Sequence, residues 1–236
     1  MSGHWELVIR FMHSKIYQAK KEKAPSHPVD IAAAVAFLKE YARSSFDETV
    51  EVHLRLGVDA TKSDQAVRGT VQLPGGLPKQ PRIVVFTADP KQQEEVRAAG
   101  AAVSGGEELV ASIIEEGALK ADLAIAAPDM MPRLAKAAKI LGPKGLMPSP
   151  KAGTVSPNPA ETVQQLLSGK TSFKMDQQGN LHLAVAKISW EQEKIVANIT
   201  AFLEAVRSVR PAAAKGEFVR SVTVKTTMSP AVRISG

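Results

Sequence analysis

Residues 82–100 read "RIVVFTADPKQQEEVRAAG". The opening of this stretch, "RIVVFT" (82–87), is a nearly continuous apolar run, the pattern of a short strand buried on both faces. Helical sequence follows from Pro90 to Ala99 and again from Glu107 to Glu116. A second run, "ADLAIAAP" at 121–128, repeats the strand pattern. Strand, helix, strand, helix is the order of a small parallel α/β domain, expected here at residues 77–167.

Outward from this segment the pattern changes. In "ETVEVHLRLG" (48–57), Val50, Val52, Leu54 and Leu56 alternate with Glu51, His53 and Arg55, the period of a strand with one wet face. "VRGTVQL" (67–73) reads as its partner, ending at the "PGG" break. Upstream, Asp30 is placed to cap a helix running through Arg43, with Ile31, Val35, Leu38 and Ala42 on one face. Downstream, "TSFKMDQQGNLHLAVAKIS" (171–189) reads as a hairpin turning at Gly179-Asn180. Ser189 and Gln192 have the spacing of a capping box. Ile195, Ile199, Phe202, Leu203 and Val206 form a helical stripe, and "GEFVRSVTVKTTMSPAVRI" (216–234) reads as a closing strand pair. The expected fold is therefore mixed α/β and α+β. A split α+β domain is formed by both termini (1–76 and 168–236), with a Rossmann-like α/β domain inserted at 77–167.

Bulk composition narrows the function. The 236 residues are 44% hydrophobic but only 5% aromatic, so cores must be built from Val, Leu, Ile and Ala. The net charge of +6 is compatible with an anionic partner. With no cysteine, disulfides, thiolate zinc sites and thiol catalysis are excluded together. No apolar run has the length of a membrane span. The opening, "MSGHWELVIRFMHSKIYQAKKEK", is amphipathic and basic. It reads as an ordinary N-terminal helix in preference to an organelle transit segment, which favours a cytoplasmic protein.

Catalytic constellations are missing. "SGKTS" (168–172) contains a GKT, yet Gln164 stands where a phosphate loop needs glycine, and a helix precedes it. Gly105-Gly106 reads as a tight strand-to-helix turn. The histidines (4, 13, 27, 53 and 182) have no ligand spacing, so neither metal nor cofactor is expected. Acids, by contrast, are missing in a patterned way. None occurs from Met130 to Ala160, which holds Arg133, Lys136, Lys139, Lys144 and Lys151, nor from Phe218 to the end, which holds Arg220, Lys225 and Arg233. Such stretches suit phosphate contact, with Thr226, Thr227 and Ser229 as short hydroxyl donors. Phe46, just before the first strand, reads either as an aromatic for RNA or as a core plug at the helix–strand junction.

The loop "ILGPKGLMPSPKAGTV" (140–155) resembles the hallmark segment of the bacterial form of the large-subunit ribosomal protein L-one family. "FDETVEVHLRLGVD", "KSDQAVRGTVQLPGG", "AGAAVSGGEELV", "APDMMPRLAK" and the closing segment are similar to family segments in family order, covering about Val29 to Ile234. The resemblance implies the split-and-inserted fold and a non-enzymatic role. That role is to bind large-subunit rRNA at the mobile stalk beside the tRNA exit site and to assist departure of deacylated tRNA. It also implies repression of translation from the protein's own mRNA. The expected partners are thus the ribosome, the rRNA stalk, exit-site tRNA and own-operon mRNA, with the free protein a monomer. Phe46, Thr49, Lys174, Asp176, Ser221, Thr227, Met228 and Ser229 match rRNA-contact positions, while Lys144 and Lys151 become auxiliary phosphate contacts. Ser229 stands where the family usually has glycine, and "HLAVAK" (182–187) replaces the more usual "HAPVGK". Two other readings stand beside this one: a nucleotide-using enzyme of the inserted domain, which lacks a phosphate loop, and a protein-interaction module.

Overall fold

The computed structural model describes residues 15–42, 44–59, 65–116, 119, 121–150, 153–212, 214 and 216–235. Arg43, Lys151 and the opening residues through 14, which include His4 and His13, lie outside the described residues. The described chain divides into two compact units. One joins residues up to Val67 with Leu73–Pro78 and the chain from Phe173 onward; the other joins Arg68–Gln72 with Lys79–Ser172.

The first unit is built on a four-stranded antiparallel sheet of β1 (Thr49–Leu56), β7 (Asn180–Lys187), β8 (Val219–Thr226) and β9 (Val232–Ile234). Its order is β7-β1-β8-β9. Helices α1 (Lys15–Lys23), α2 (Ile31–Tyr41) and α8 (Gln192–Ser208) belong to the same unit. Val50, Val52 and Leu54 of β1, Leu181 and Val185 of β7, and Val222 and Val224 of β8 are buried. So are Val35 and Leu38 of α2 and Ile195, Ile199, Phe202 and Val206 of α8, matching the stripes legible in the sequence. Asp30 caps α2 as expected, its carboxylate accepting from the Ala32 amide at 3.2 Å. Helices thus cover one sheet face, and the alternating polar residues occupy the other.

In the second unit a parallel sheet ordered β4-β3-β5 joins β3 (Ile83–Phe86), β4 (Val103–Gly105) and β5 (Leu123–Ala126). Strand alternation sends Ile83, Val85 and Ile125 to one face, where they pack with Val96 of α3 (Pro90–Ala98) and Val163 of α7 (Pro159–Leu167). Val84, Phe86, Ala124 and Ala126 face the other way, toward Val110 and Ile113 of α4 (Glu107–Glu116). Leu134 of α5 (Met131–Leu134) and Leu141 of α6 (Ala138–Leu141) join that second cluster. Burial on both faces is why these strands read as unbroken apolar runs.

The loop after α6 closes this core. Leu146 is buried in the same cluster, and Val155 forms a parallel bridge with Ala126 at the β5 edge. Gly145 and Gly153 take φ of 69° and 67°, the left-handed region in which a side chain would be strained. The Thr154 hydroxyl accepts the Ser149 amide at 2.8 Å and donates to the Ser149 carbonyl at 3.2 Å. The described parts of the loop thus lead back to the sheet.

Three local expectations are corrected. "VRGTVQL" holds β2 (Arg68–Gln72), but β2 pairs with β6 (Lys170–Lys174), because β7 and β8 occupy both edges of β1. For the same reason 171–189 is no hairpin: the chain turns at Asp176–Asn180, but its flanking strands enter different sheets. The Ser189–Gln192 capping box does not form either. Ser189 bonds Asp47 instead, from its hydroxyl at 2.9 Å and its amide at 3.2 Å, and Glu191 caps α8 without a side-chain bond. The strand-to-helix turn at Gly105-Gly106 stands as read, with three-residue β4 before it and α4 after it.

Candidate nucleic-acid interface

The approach to β1 is organised by a buried acid. Glu48 is in phase with Val50, Val52 and Leu54 and is only 1% exposed, so its carboxylate sits on the core side of the strand entry. It accepts hydrogen bonds from the Ser44 hydroxyl, the Thr226 hydroxyl and the Met228 amide, the last at 2.9 Å. Burial pushes its carboxyl up. The bonds from Ser44, Thr226 and Met228, with the charge of Lys20, outweigh that and hold it below its ordinary value. Glu48 is therefore ionised at neutral pH and ties the β1 entry to the turn that follows β8.

Two further bonds draw the same segments together. The Thr49 amide donates to the Thr227 hydroxyl at 3.3 Å, and Lys187 Nζ donates to Thr49 Oγ1 at 2.8 Å and the Asp47 carbonyl at 3.1 Å. Phe46, Thr49, Thr227 and Met228 thereby share one neighbourhood. Phe46 is 51% exposed and Met228 56% exposed. Phe46 is thus no core plug. An exposed ring and thioether beside short hydroxyls offer stacking, dispersion and hydrogen bonding to an unstacked base.

Asp176 and Ser221 lie toward the opposite end of the strands. Ser221 pairs with Arg55 in the middle of the sheet, and Arg55 pairs with Asn180 of β7. The Asp176 carboxylate accepts from the amides of Asn180 at 2.7 Å and Gln178 at 2.8 Å and from Asn180 Nδ2 at 3.2 Å. The Asn180 amide leads in holding its carboxyl below the ordinary value. Lys174 is exposed at the end of β6. Ser229, by contrast, is buried: its hydroxyl accepts the Thr226 amide at 2.8 Å and donates to the Pro230 carbonyl at 3.1 Å. The side chain that replaces the expected glycine therefore points inward and stitches the turn. Lys144 is exposed on the loop of the second unit. Lys151 lies outside the described residues.

Glu48, Ser44, Asp47 and Lys187 were missed as parts of this site. Glu48 carried a signal, since an acid in register with an apolar strand face must be paired. The rest reach it through tertiary contacts alone. No group of three or more His, Cys, Asp or Glu able to hold a metal occurs among the described residues, and none of their helices is long and apolar enough to cross a membrane. The GKT sequence leads into strand β6 rather than a helix, so its amides do not form the cradle of a phosphate loop.

The sequence pattern of the Ribosomal protein L1p/L10e family matches residues 38–230. The chain belongs to that family. It is 44% identical over 220 residues to the large ribosomal subunit protein uL1 of Solibacter usitatus, covering 93% of this chain and 92% of that one. Against a uL1 protein of Thermus thermophilus it is 45% identical over 225 residues, 94% of this chain and 97% of that one. With that of Salinispora arenicola it shares 48% over 203 residues, 86% of this chain and 84% of that one. The L1 family is a structural ribosomal family and not an enzyme family. The matched segment contains both the β1 entry and the turn after β8.

Proposed function

We propose that the unit built from both chain ends, residues 1–76 and 168–236 in the sequence reading, binds large-subunit ribosomal RNA. Within it Phe46, Thr49, Lys174, Asp176, Ser221, Thr227, Met228 and Ser229 form the site, Ser229 from within the turn. The insert at 77–167 contributes Lys144 and Lys151 as auxiliary phosphate contacts. The observation that carries this reading is the Glu48 clamp, which sets an exposed Phe46 and Met228 beside Thr49 and Thr227. Names of the relatives, each a large-subunit protein, support the choice of RNA. The rRNA segment is the mobile stalk near the tRNA exit site, and binding there assists release of deacylated tRNA. A stalk-like structure in the protein's own mRNA is the second ligand and makes the protein a translational repressor.

The test is a titration of a stalk-type RNA hairpin across a salt series. Affinity should fall steeply with salt, the logarithmic slope growing by about 0.9 for each duplex phosphate neutralised. Salt-independent binding, or equal affinity for any duplex, removes the reading. Co-sedimentation with large ribosomal subunits tests it on the assembled particle.

A further inference from the structure

The open sheet face carries a titratable strip between the two ends of the proposed site. Strand register pairs His182 of β7 with His53 of β1, His53 with Thr223 of β8, and Thr223 with Arg233 of β9. The two imidazoles meet at 2.6 Å, Nδ1 to Nδ1, with ring centroids 4.9 Å apart. Asp176 Oδ2 stands 3.5 Å from His182 Nε2, and Glu51 Oε2 stands 3.4 Å from His53 Nε2. Lys225 Nζ lies 3.8 Å beyond, on the same Glu51 oxygen. An acid, two histidines, a second acid and a lysine thus run across three strands.

Donor counting fixes what the pair does with protons. Two Nδ1 atoms at hydrogen-bond distance need one proton between them, so one ring donates and the other accepts. If His182 donates, its second nitrogen faces the Asp176 carboxylate, and both contacts are satisfied only when the ring carries two protons. His53 then accepts at Nδ1 and turns its Nε2–H toward Glu51. The reverse assignment puts the second proton on His53 instead and meets the same contacts, so with either donor the run from Asp176 to Glu51 is complete only when the two rings share three protons. Burial first, and then the neighbouring His182, hold His53 below its ordinary value, while Glu51 opposes them. His182 is the more accessible ring, its side chain 54% exposed against 27% for His53.

We infer that the His53–His182 pair is a proton-linked contact of the RNA surface: RNA crossing the open face draws one proton from solvent onto the pair. This rests on the RNA-binding reading. A ligand touching both Ser221 and Thr227, at the two ends of β8, passes over this strip, and its phosphates favour the charged pair. Asp176 and Glu51 favour the same form. Arg55 of β1, Lys225 of β8, Arg233 of β9 and Lys187 of β7 oppose it, so the pair stays poised until a polyanion covers those cations.

The experiment measures binding of a stalk-type RNA hairpin to the full chain at fixed ionic strength from pH 5.5 to 8.0. Calorimetry in buffers of different ionisation enthalpy counts the protons taken up. Wild type should take up part of one proton near neutral pH, with affinity rising as pH falls, by at most about tenfold per pH unit. His182→Gln should abolish the uptake and flatten the profile, His53→Gln should do the same from beneath, and His27→Gln, exposed outside the strip, should keep the wild-type count. RNA binding with the same proton count in wild type and both strip variants overturns the inference and leaves the RNA reading standing. No RNA binding at any pH overturns both.

Discussion

The carboxylate of Glu48 accepts the backbone amide of Met228 at 2.9 Å across 180 positions of chain. The bond joins a buried acid to the backbone of a residue whose side chain is exposed, so the position of a surface side chain is set from inside the core. Glu48→Ala would strand the Thr226 hydroxyl and the Met228 amide. The expected cost is on the order of 1–3 kcal/mol of folding stability, read by denaturant unfolding. Stalk-hairpin affinity of the folded protein should fall with it. Unchanged affinity in a folded Glu48→Ala protein would show that the clamp does not set the surface.

The same carboxyl gives a pH prediction. Its folded value lies below the ordinary 4.5, so its stabilising contribution is complete above that value and is lost as pH falls through the folded one. Wild type should lose stability more steeply than Glu48→Gln below about pH 4.5. Parallel acid profiles for the two proteins would contradict the assignment.

Phe46→Ala removes a half-exposed ring. It should cost on the order of 1–3 kcal/mol of RNA affinity if the ring stacks on a base, with little change in melting. A drop in melting temperature at constant affinity of the folded fraction would mean that the ring serves the fold.

Thr227 uses its oxygen to accept from the Thr49 amide, at an exposed position, and its O–H remains free to donate to a ligand. Thr227→Val should weaken RNA binding with melting nearly unchanged, and Thr227→Ser should restore it. Equal binding by all three proteins removes Thr227 from the site.

Ser229 separates stability from contact. Ser229→Ala leaves the buried Thr226 amide without its partner at 2.8 Å, and about 1 kcal/mol of stability should be lost. No change in the unfolding midpoint would mean that another acceptor takes over.

Much of this was legible because burial and period coincide locally. The runs at 82–87 and 121–128 hold the strands Ile83–Phe86 and Leu123–Ala126, and α4 covers the same ten residues expected of it. The α8 stripe is buried as read. Partner choice was not legible. Whether "VRGTVQL" joins β1 or β6 depends on which edges β7 and β8 have already filled, and no short-range feature of the segment records that. The site divides in the same way. Glu48 was missed, although its phase in the strand carried the signal. The exposure of Phe46 could not be read from a residue standing just outside the alternation, where a plug and a platform look alike. Ser189 met the spacing of a cap, but Asp47, 142 positions away, offered its hydroxyl a better-placed acceptor.

The position of β1 between β7 and β8 has a consequence for biosynthesis. Both neighbours are made after residue 179, so β1 emerges from its ribosome with no partner and waits until that stretch has been made. The continuous segment Lys79–Ser172 already holds its entire parallel sheet and can close meanwhile. Met228 meets Glu48 only once the 180 positions that separate them have been made, so a shorter nascent segment lacks the clamp.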